Sequence, residues 1–487
     1  MYEINTRVWL YSLQKKLNKD LTLMTIPDEL WTSIIEKGFD WIWLMGVWEH
    51  SSLPQEELAK HPGLTKEISN SLPNWNPVDV IGSPYSIIKY ELNPQLGLPG
   101  DLKSLKQKLN DLGAKLMLDF VPNHFGSASE LVLTNPEYFI STDNRPHYQS
   151  LFKQVETEKG IQWIAYGKDP YFPPWTDTFQ LNYFNENTRE YMITVLNKVV
   201  SECDGVRCDM AMLCLNDIIQ QTWGFYLEQK RHFDTLSSEF WPDAIKTIKS
   251  NFPEIRFLAE VYWNLGWKLQ QMGFDYTYDK DLYDLLENGS TEKIQTHLSA
   301  DKSYLMKNMR FIENHDERRA HNVFGHEKSI AAAIIMGTVP GLSLYHQGQL
   351  EGEKIKIPVQ LRQKQSEKSD PLIQEAYDRI LEFTNQIKSH DYQWALLSTS
   401  NSNILAWKWH APNSTKSFLV VVNYASFQSQ GNVFLPLHSE FSNIEQFDLY
   451  DIFNEKKYSR KGADLKEYGL FVDLQPFQNH LFIVEPN

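Results

Sequence analysis

At 487 residues the chain is longer than one small core organises, and its length predicts two to four domains, with a barrel of about 250 residues or more among them. A net charge of −15 opposes polyanions and argues against nucleic-acid binding, which rests on Lys and Arg neutralising phosphates. Hydrophobic residues at 42 % and charged residues at 22 % match a globular protein in water, and no apolar run approaches transmembrane length. Cys203, Cys208 and Cys214 are too few, and odd in number, for a disulfide framework, which points to a reducing compartment. Their spacing fits no usual zinc pattern. Met1 to Arg7 lacks a basic stretch followed by an apolar segment, so no signal peptide is read and a cytoplasmic protein is expected. Aromatic residues make up 13 %, with 15 Trp. They serve either core packing or the stacking of sugar C–H faces.

In chain order, Glu3 to Leu10 reads as a strand. A helix follows over Pro27 to Lys37, with Asp28 and Glu29 suited to its first turn, then a buried strand over Phe39 to Met45. Trp48 to Tyr90 is a long loop rich in Pro, Ser and Asn, of the kind that is functional or disordered in compact domains. Leu98 to Leu112 is a helix with Leu102, Leu105, Leu109 and Leu112 on one face and Gly113 after it. The strand Ala114 to Val121 follows directly. Strand, helix, strand in this order implies right-handed βαβ units. From Phe125 to Asn185 the periodicity lapses, which reads as a small inserted subdomain. Helical pattern resumes at Asn187, taken as an N-cap with Glu190 as its capping-box partner. Strands then fall at Gly205–Asp209, Ile255–Val261, Phe274–Tyr276, Met309–Glu313 and Gly341–Tyr345. Helices fall near Asp243–Lys249, Ile330–Met336 and Leu372–Ile387. Beyond about Gln393 short strands separated by turn residues indicate an all-β domain.

Four apolar runs end in polar groups: Asp119 to His124, Arg207 with Asp209, Glu260, and Asn314-His315-Asp316. A closed parallel barrel gathers such strand ends at one face. Two carboxylates facing one cavity are what glycosidic bond cleavage requires, one as nucleophile and one as acid/base in the retaining version. Arg207 and Asp209, two apart on a strand, point the same way, so the cation keeps Asp209 ionised. Each piece alone has an ordinary structural reading as a cap or ion pair. The joint occurrence on a βα background carries the argument.

On these residues the chain resembles the α-amylase family, glycoside hydrolase family 13. The signature regions correspond to Asp119–His124 (the Asp-x-Val-x-Asn-His pattern), Gly205–Asp209 (Gly-x-Arg-x-Asp), the segment around Glu260, and Asn314–Asp316. A fifth, weaker one is Phe179-Gln180-Leu181-Asn182. The resemblance implies an α/β fold: a TIM (β/α)8 barrel over 1–123 and 186–392, a subdomain over 124–185 inserted after the third strand, and a C-terminal all-β sandwich domain over 393–487. It implies Asp209 as nucleophile, Glu260 as general acid/base and Asp316 as transition-state stabiliser. Arg207 would orient Asp209, His124 and His315 would bind the sugar, and Tyr85 in Ser83-Pro84-Tyr85-Ser86 would stack beneath it. Asp119 and Asn123 would support the site. Family members that hold calcium often carry Lys-His where Met212 and Leu213 stand here, so no metal or other cofactor is expected. If calcium were bound, Asn123 would be its ligand.

The expected activity is retaining hydrolysis of α-glucosidic bonds, foremost α-1,4, in maltooligosaccharides or α-glucans. The alternative is a transferase, phosphorylase or isomerase of the same family acting on sucrose or a related glucoside. A non-catalytic binding protein is the remote third reading, because such proteins usually lose a catalytic residue and all three carboxylates are present. An oligosaccharide is the expected partner, with neither nucleic acid nor membrane. In the insertion, Trp163, Tyr166, Tyr171, Phe172 and Trp175 are either sugar platforms or that subdomain's own core.

Overall fold

The computed structural model describes residues 1–227, 238–388, 392–411, 414–435 and 444–487. Contacts divide the chain into two compact units. The first comprises Met1–Ile35, Phe39–Tyr278 and Lys356–Ser366, the second Glu36–Gly38, Asp279–Ile355 and Glu367–Asn487. The expected insertion thus lies in the first unit and the expected β domain in the second.

The first unit is built on six parallel strands: β1 (Tyr2–Asn5), β2 (Trp41–Met45), β3 (Lys115–Phe120), β4 (Gly205–Cys208), β5 (Arg256–Ala259) and β6 (Tyr276–Tyr278). They lie side by side in the order β6-β5-β4-β3-β2-β1. Every residue of β2 is buried, as expected of a parallel strand covered on both faces. Register decides what meets at the strand ends: Arg207 on β4 lies opposite Asp119 on β3. One residue past β4, the Asp209 N–H donates to the Phe120 carbonyl at 2.8 Å, and the Glu260 N–H donates to Cys208 at 3.0 Å.

The N-terminal element corrects the sequence reading. Only Tyr2–Asn5 is strand; Thr6–Leu17 is a helix. Asn5 caps it, its side chain accepting the Val8 N–H at 3.4 Å. Thr6 to Leu10 are all buried, so the apolar stripe that announces a surface helix is absent, and β-branched and aromatic residues imitate a strand.

Between β3 and helix Glu186–Ser201 an antiparallel sheet is inserted, made of His124–Gly126, Trp175–Gln180, Gly160–Gly167, Ser141–Thr142 and Phe152–Thr157. Its alternation is weak in sequence because Trp175–Gln180 shifts register against its neighbour, and a bulge breaks the period of two. Helix Glu186–Ser201 follows. Its cap is Asn185, whose side chain accepts the N–H of Asn187 at 3.0 Å, so Asn187 is inside the helix.

In the second unit β7 (Asn308–Arg310) and β8 (Leu342–Ser343) pair in parallel. Both are shorter than predicted. Helix His326–Thr338 buries every residue from Ala331 to Met336. Its last carbonyl, that of Thr338, accepts from the indole N–H of Trp407 at 3.2 Å and of Trp409 at 2.7 Å, which ties the helix to the β domain. Among the described residues that domain has a six-stranded sheet and a two-stranded sheet, Ser429–Val433 with Leu470–Leu474. Leu419, Val421, Leu449 and Phe482 from one and Val433, Val472 and Leu474 from the other share one core. Among the described residues no helix is long and apolar enough to cross a membrane.

Candidate active site

Arg207 organises the strand ends of the first unit. Its side chain is fully buried and forms ion pairs with Asp209 at 2.6 Å, Glu260 at 2.8 Å and Asp119 at 3.7 Å. Its Nε donates to the Tyr278 hydroxyl at 3.2 Å. Aromatic rings enclose it: the guanidinium carbon lies 5.3 Å from the ring centres of Trp43 and Tyr85 and 5.7 Å from that of Tyr278. Burial alone would lower its pKa, but Glu260, Tyr278, Tyr85 and Asp209 raise it well above the ordinary value. It is a fixed cation.

Asp119 serves the strand end rather than the cavity. Its Oδ2 accepts the Gly46 N–H at 3.0 Å and its carbonyl accepts the Trp48 indole N–H at 2.7 Å. Gly46 has φ +77°, and a Cβ there would lie 2.6 Å from Pro84 Cβ, so only glycine lets this loop pass under Pro84.

Glu260 is buried and gripped at both oxygens. Oε2 faces Arg207 and accepts the Met210 N–H at 2.6 Å, while Oε1 accepts the Tyr262 hydroxyl at 2.9 Å. Met210, next to Asp209, adopts φ +42° to aim that N–H. Trp263 and Asn264, at φ +60° and +59°, continue the irregular backbone after Glu260. Left-handed non-glycine residues are costly and cluster at functional sites.

His124 is buried, and burial lowers its pKa to about 4, so the ring is neutral near pH 7. It lies 3.2 Å from the Tyr85 carbonyl and its ring packs 5.3 Å from Trp175. The contact with the Tyr85 carbonyl joins two of the residues expected to bind the sugar, His124 and Tyr85. Asn123 is buried, and both of its oxygens accept from the Gln180 side-chain amide, Oδ1 at 2.9 Å and the carbonyl at 3.0 Å. A calcium ion takes six to eight oxygen ligands; here an N–H donor points at the two oxygens that would serve it.

The other two predicted residues belong to the second unit. His315 is buried with its Nε2 3.0 Å from Asp316, whose side chain is 47 % exposed. Asn314 Oδ1 accepts the N–H groups of Asp316 at 2.9 Å and Glu317 at 2.8 Å, which turns the chain and presents Asp316.

The insertion's aromatics divide. Trp163 packs beside Ile140 and Phe152 in a cluster that also takes in Trp223 and Tyr226 from helix Asn216–Leu227, and Tyr166 stacks on Phe179 at 5.9 Å. Tyr171 and Phe172 are exposed, with Tyr171 edge-on to Trp263 at 4.9 Å. Four contacts went unseen in the sequence: Trp43, Tyr278, Met210 and Tyr262. Tyr262 carries the same i, i+2 spacing from Glu260 that paired Arg207 with Asp209. Tyr278 was missed because the strand was set at Phe274–Tyr276 instead of Tyr276–Tyr278.

The architecture and the site therefore define a (β/α)8-barrel protein with an inserted subdomain, a C-terminal all-β domain and clustered carboxylates at strand ends. The family model for the alpha amylase catalytic domain matches residues 36–379, and the chain belongs to that family. Among curated relatives, alpha-amylase MalA of Haloarcula japonica is 24 % identical over 270 residues, 54 % of this chain and 36 % of the relative. The alpha-1,4-glucan:maltose-1-phosphate maltosyltransferase of Picrophilus torridus is 22 % identical over 268 residues, 51 % of this chain and 41 % of the relative. The match spans less than half the length of either. Among solved structures, the maltogenic alpha-amylase AmyB of Thermotoga neapolitana superposes with TM-score 0.66 at 19 % identity, covering 100 % of this chain and 98 % of that one. The trehalose-6-phosphate hydrolase of Bacillus licheniformis gives 0.60 at 14 % identity, covering 94 % of each. At such identities the likeness shows the fold.

Proposed function

We propose that the protein is a retaining enzyme that hydrolyses α-glucosidic bonds, foremost α-1,4, in maltooligosaccharides or α-glucans. The observation that carries this reading is the single guanidinium of Arg207 bridging Asp209 and Glu260. One planar fork confines two carboxylates to close range, in keeping with the spacing of about 5–5.5 Å that lets one attack directly, whereas inversion needs room for a water between them. Asp209, ionised beside Arg207, attacks the anomeric carbon. Glu260 protonates the departing oxygen, the glycosyl–Asp209 ester forms, and Glu260 then takes a proton from the water that breaks it. Asp316 is assigned to stabilising the transition state, and Tyr85, His124 and His315 to sugar binding. Asn123 is given a structural role, since Gln180 occupies its oxygens, and no metal step is invoked. The three cysteines are free and buried, in keeping with a cytoplasmic address.

The same residues would serve a transferase that hands the glycosyl group to a sugar or phosphate, and the maltosyltransferase among the relatives keeps that second reading in view. Proton NMR of anomeric signals separates them. With maltoheptaose, release of α-anomeric reducing ends independent of phosphate supports the hydrolase. A glycosyl phosphate, or new oligosaccharides without matching reducing ends, moves the assignment to transfer. Release of β-anomers overturns the retaining mechanism.

A further inference from the structure

We infer that Tyr262 is a positioning residue for the acid/base, resting on the reading of Glu260 above, and that it selects Oε1 as the oxygen that carries the transferable proton. Different groups meet the two oxygens of Glu260. Oε2 faces the Arg207 guanidinium at 2.8 Å and the Met210 N–H at 2.6 Å. Both groups are donors without a lone pair to offer. A proton on Oε2 would confront a cation and an N–H, so Oε2 stays an acceptor in either protonation state. Oε1 faces the Tyr262 hydroxyl at 2.9 Å. A phenol both donates and accepts. It donates to the carboxylate, and by rotating about its C–O bond it accepts from the carboxylic acid.

A double displacement needs this reversibility. In the first step the Oε1 proton passes to the glycosidic oxygen as the C–O bond breaks and the ester to Asp209 forms. Glu260 is left as a carboxylate, and Tyr262 turns to donate to it. In the second step a water gives its proton to Oε1 as its oxygen attacks the anomeric carbon and the ester breaks. Tyr262 then accepts again. The Tyr262 proton itself never leaves its oxygen. The surrounding backbone fixes the rest: the Ala211 N–H donates to the Glu260 carbonyl at 3.0 Å, so the segment after Asp209 wraps Glu260 while Tyr262 completes the grip from the other side.

The test compares kcat/KM, which reports the steps up to the glycosyl-enzyme, for an aryl α-maltoside series running from phenyl to 2,4-dinitrophenyl leaving groups. The phenyl leaving group needs the proton; dinitrophenolate does not. Tyr262→Phe is expected to lower kcat/KM for phenyl α-maltoside about tenfold or more while leaving the dinitrophenyl substrate within about twofold, a pattern that follows from weakened general-acid catalysis. Glu260→Gln is expected to show the same selectivity with a larger loss. If Glu260→Gln is selective and Tyr262→Phe is not, by losing activity equally on all leaving groups or on none, the role of Tyr262 is overturned and Glu260 stands. If Glu260→Gln itself shows no leaving-group selectivity, the acid/base reading fails, whatever Tyr262→Phe does.

Discussion

Two buried arginines, one in each unit, spend their charge differently. Arg319 of the second unit pairs with Glu313 at 2.6 Å and Glu353 at 3.2 Å, lies 3.0 Å from His346 Nδ1, and also donates to the backbone carbonyls of Gln347 at 2.8 Å and Ile355 at 3.3 Å. Glu313 in turn accepts the Ala320 N–H at 2.7 Å. This network is closed onto the main chain, and it staples the loop that carries Asp316. Among the described residues Arg207 of the first unit has no carbonyl acceptor. Its partners are carboxylates, a phenol and aromatic faces. Burial of a charge costs several kcal/mol unless partners compensate it. Both centres meet that cost with titratable side chains, but Arg319 also donates to the backbone carbonyls of Gln347 and Ile355, whereas Arg207 is held by side chains of the strand ends. The contrast separates a staple from a site.

That contrast can be broken or sharpened by experiment. The largest effect is expected for Asp209→Asn and Glu260→Gln, which should lower turnover on maltooligosaccharides by about a thousandfold or more with the thermal midpoint little changed. Near-normal turnover in either purified variant would remove that residue from the mechanism. Arg319→Met should act the other way round, through stability. It leaves Glu313 buried without its cation, a loss of about 3–5 kcal/mol, to be read as a lower urea midpoint.

Protonation gives a subtler test. Burial lowers the pKa of His124 to about 4, whereas an unfolded histidine titrates near 6.5. Between those values the unfolded chain binds the proton and the folded one does not, so stability is complete above about pH 6.5 and falls as pH drops towards 4. Linkage puts the contribution at about 3 kcal/mol. Urea unfolding at pH 7 and pH 4.5 should show the loss, and His124→Gln should shrink it; an unchanged pH slope would refute the assignment. Glu313 behaves in the same sense lower down. Burial opposes its ionisation, but Arg319 and His346 hold its pKa below the ordinary value. Its contribution is present above the unfolded carboxylate pKa and disappears as pH falls through the folded one. The smallest effect is expected for Gly46→Ala, which forces a Cβ against Pro84 at φ +77°, at a cost of about 1–3 kcal/mol. A fully stable variant would show that the loop holding Asp119 can shift.

The βα alternation, the change to an all-β texture after about Gln393 and the polar strand ends are all readable along the chain. These are local signals: an apolar run long enough for a buried strand, then a charged residue that a core would not tolerate. Asp209 and Glu260 were legible because each ends such a run, and Arg207 because it stands two residues before Asp209 on the same strand. Thr6–Leu10 was misread as strand because burial on all sides erases helical periodicity there, and the strands inside the insertion went unread because a bulge breaks their period. The tertiary structure alone decided that Arg207 sits opposite Asp119, since register is set by hydrogen bonds between strands distant in sequence. It also decided that Gln180 spans to Asn123 and that Met210 turns left-handed to hold Glu260. Those contacts depend on where two separate backbones meet, and no pattern within either segment encodes the meeting.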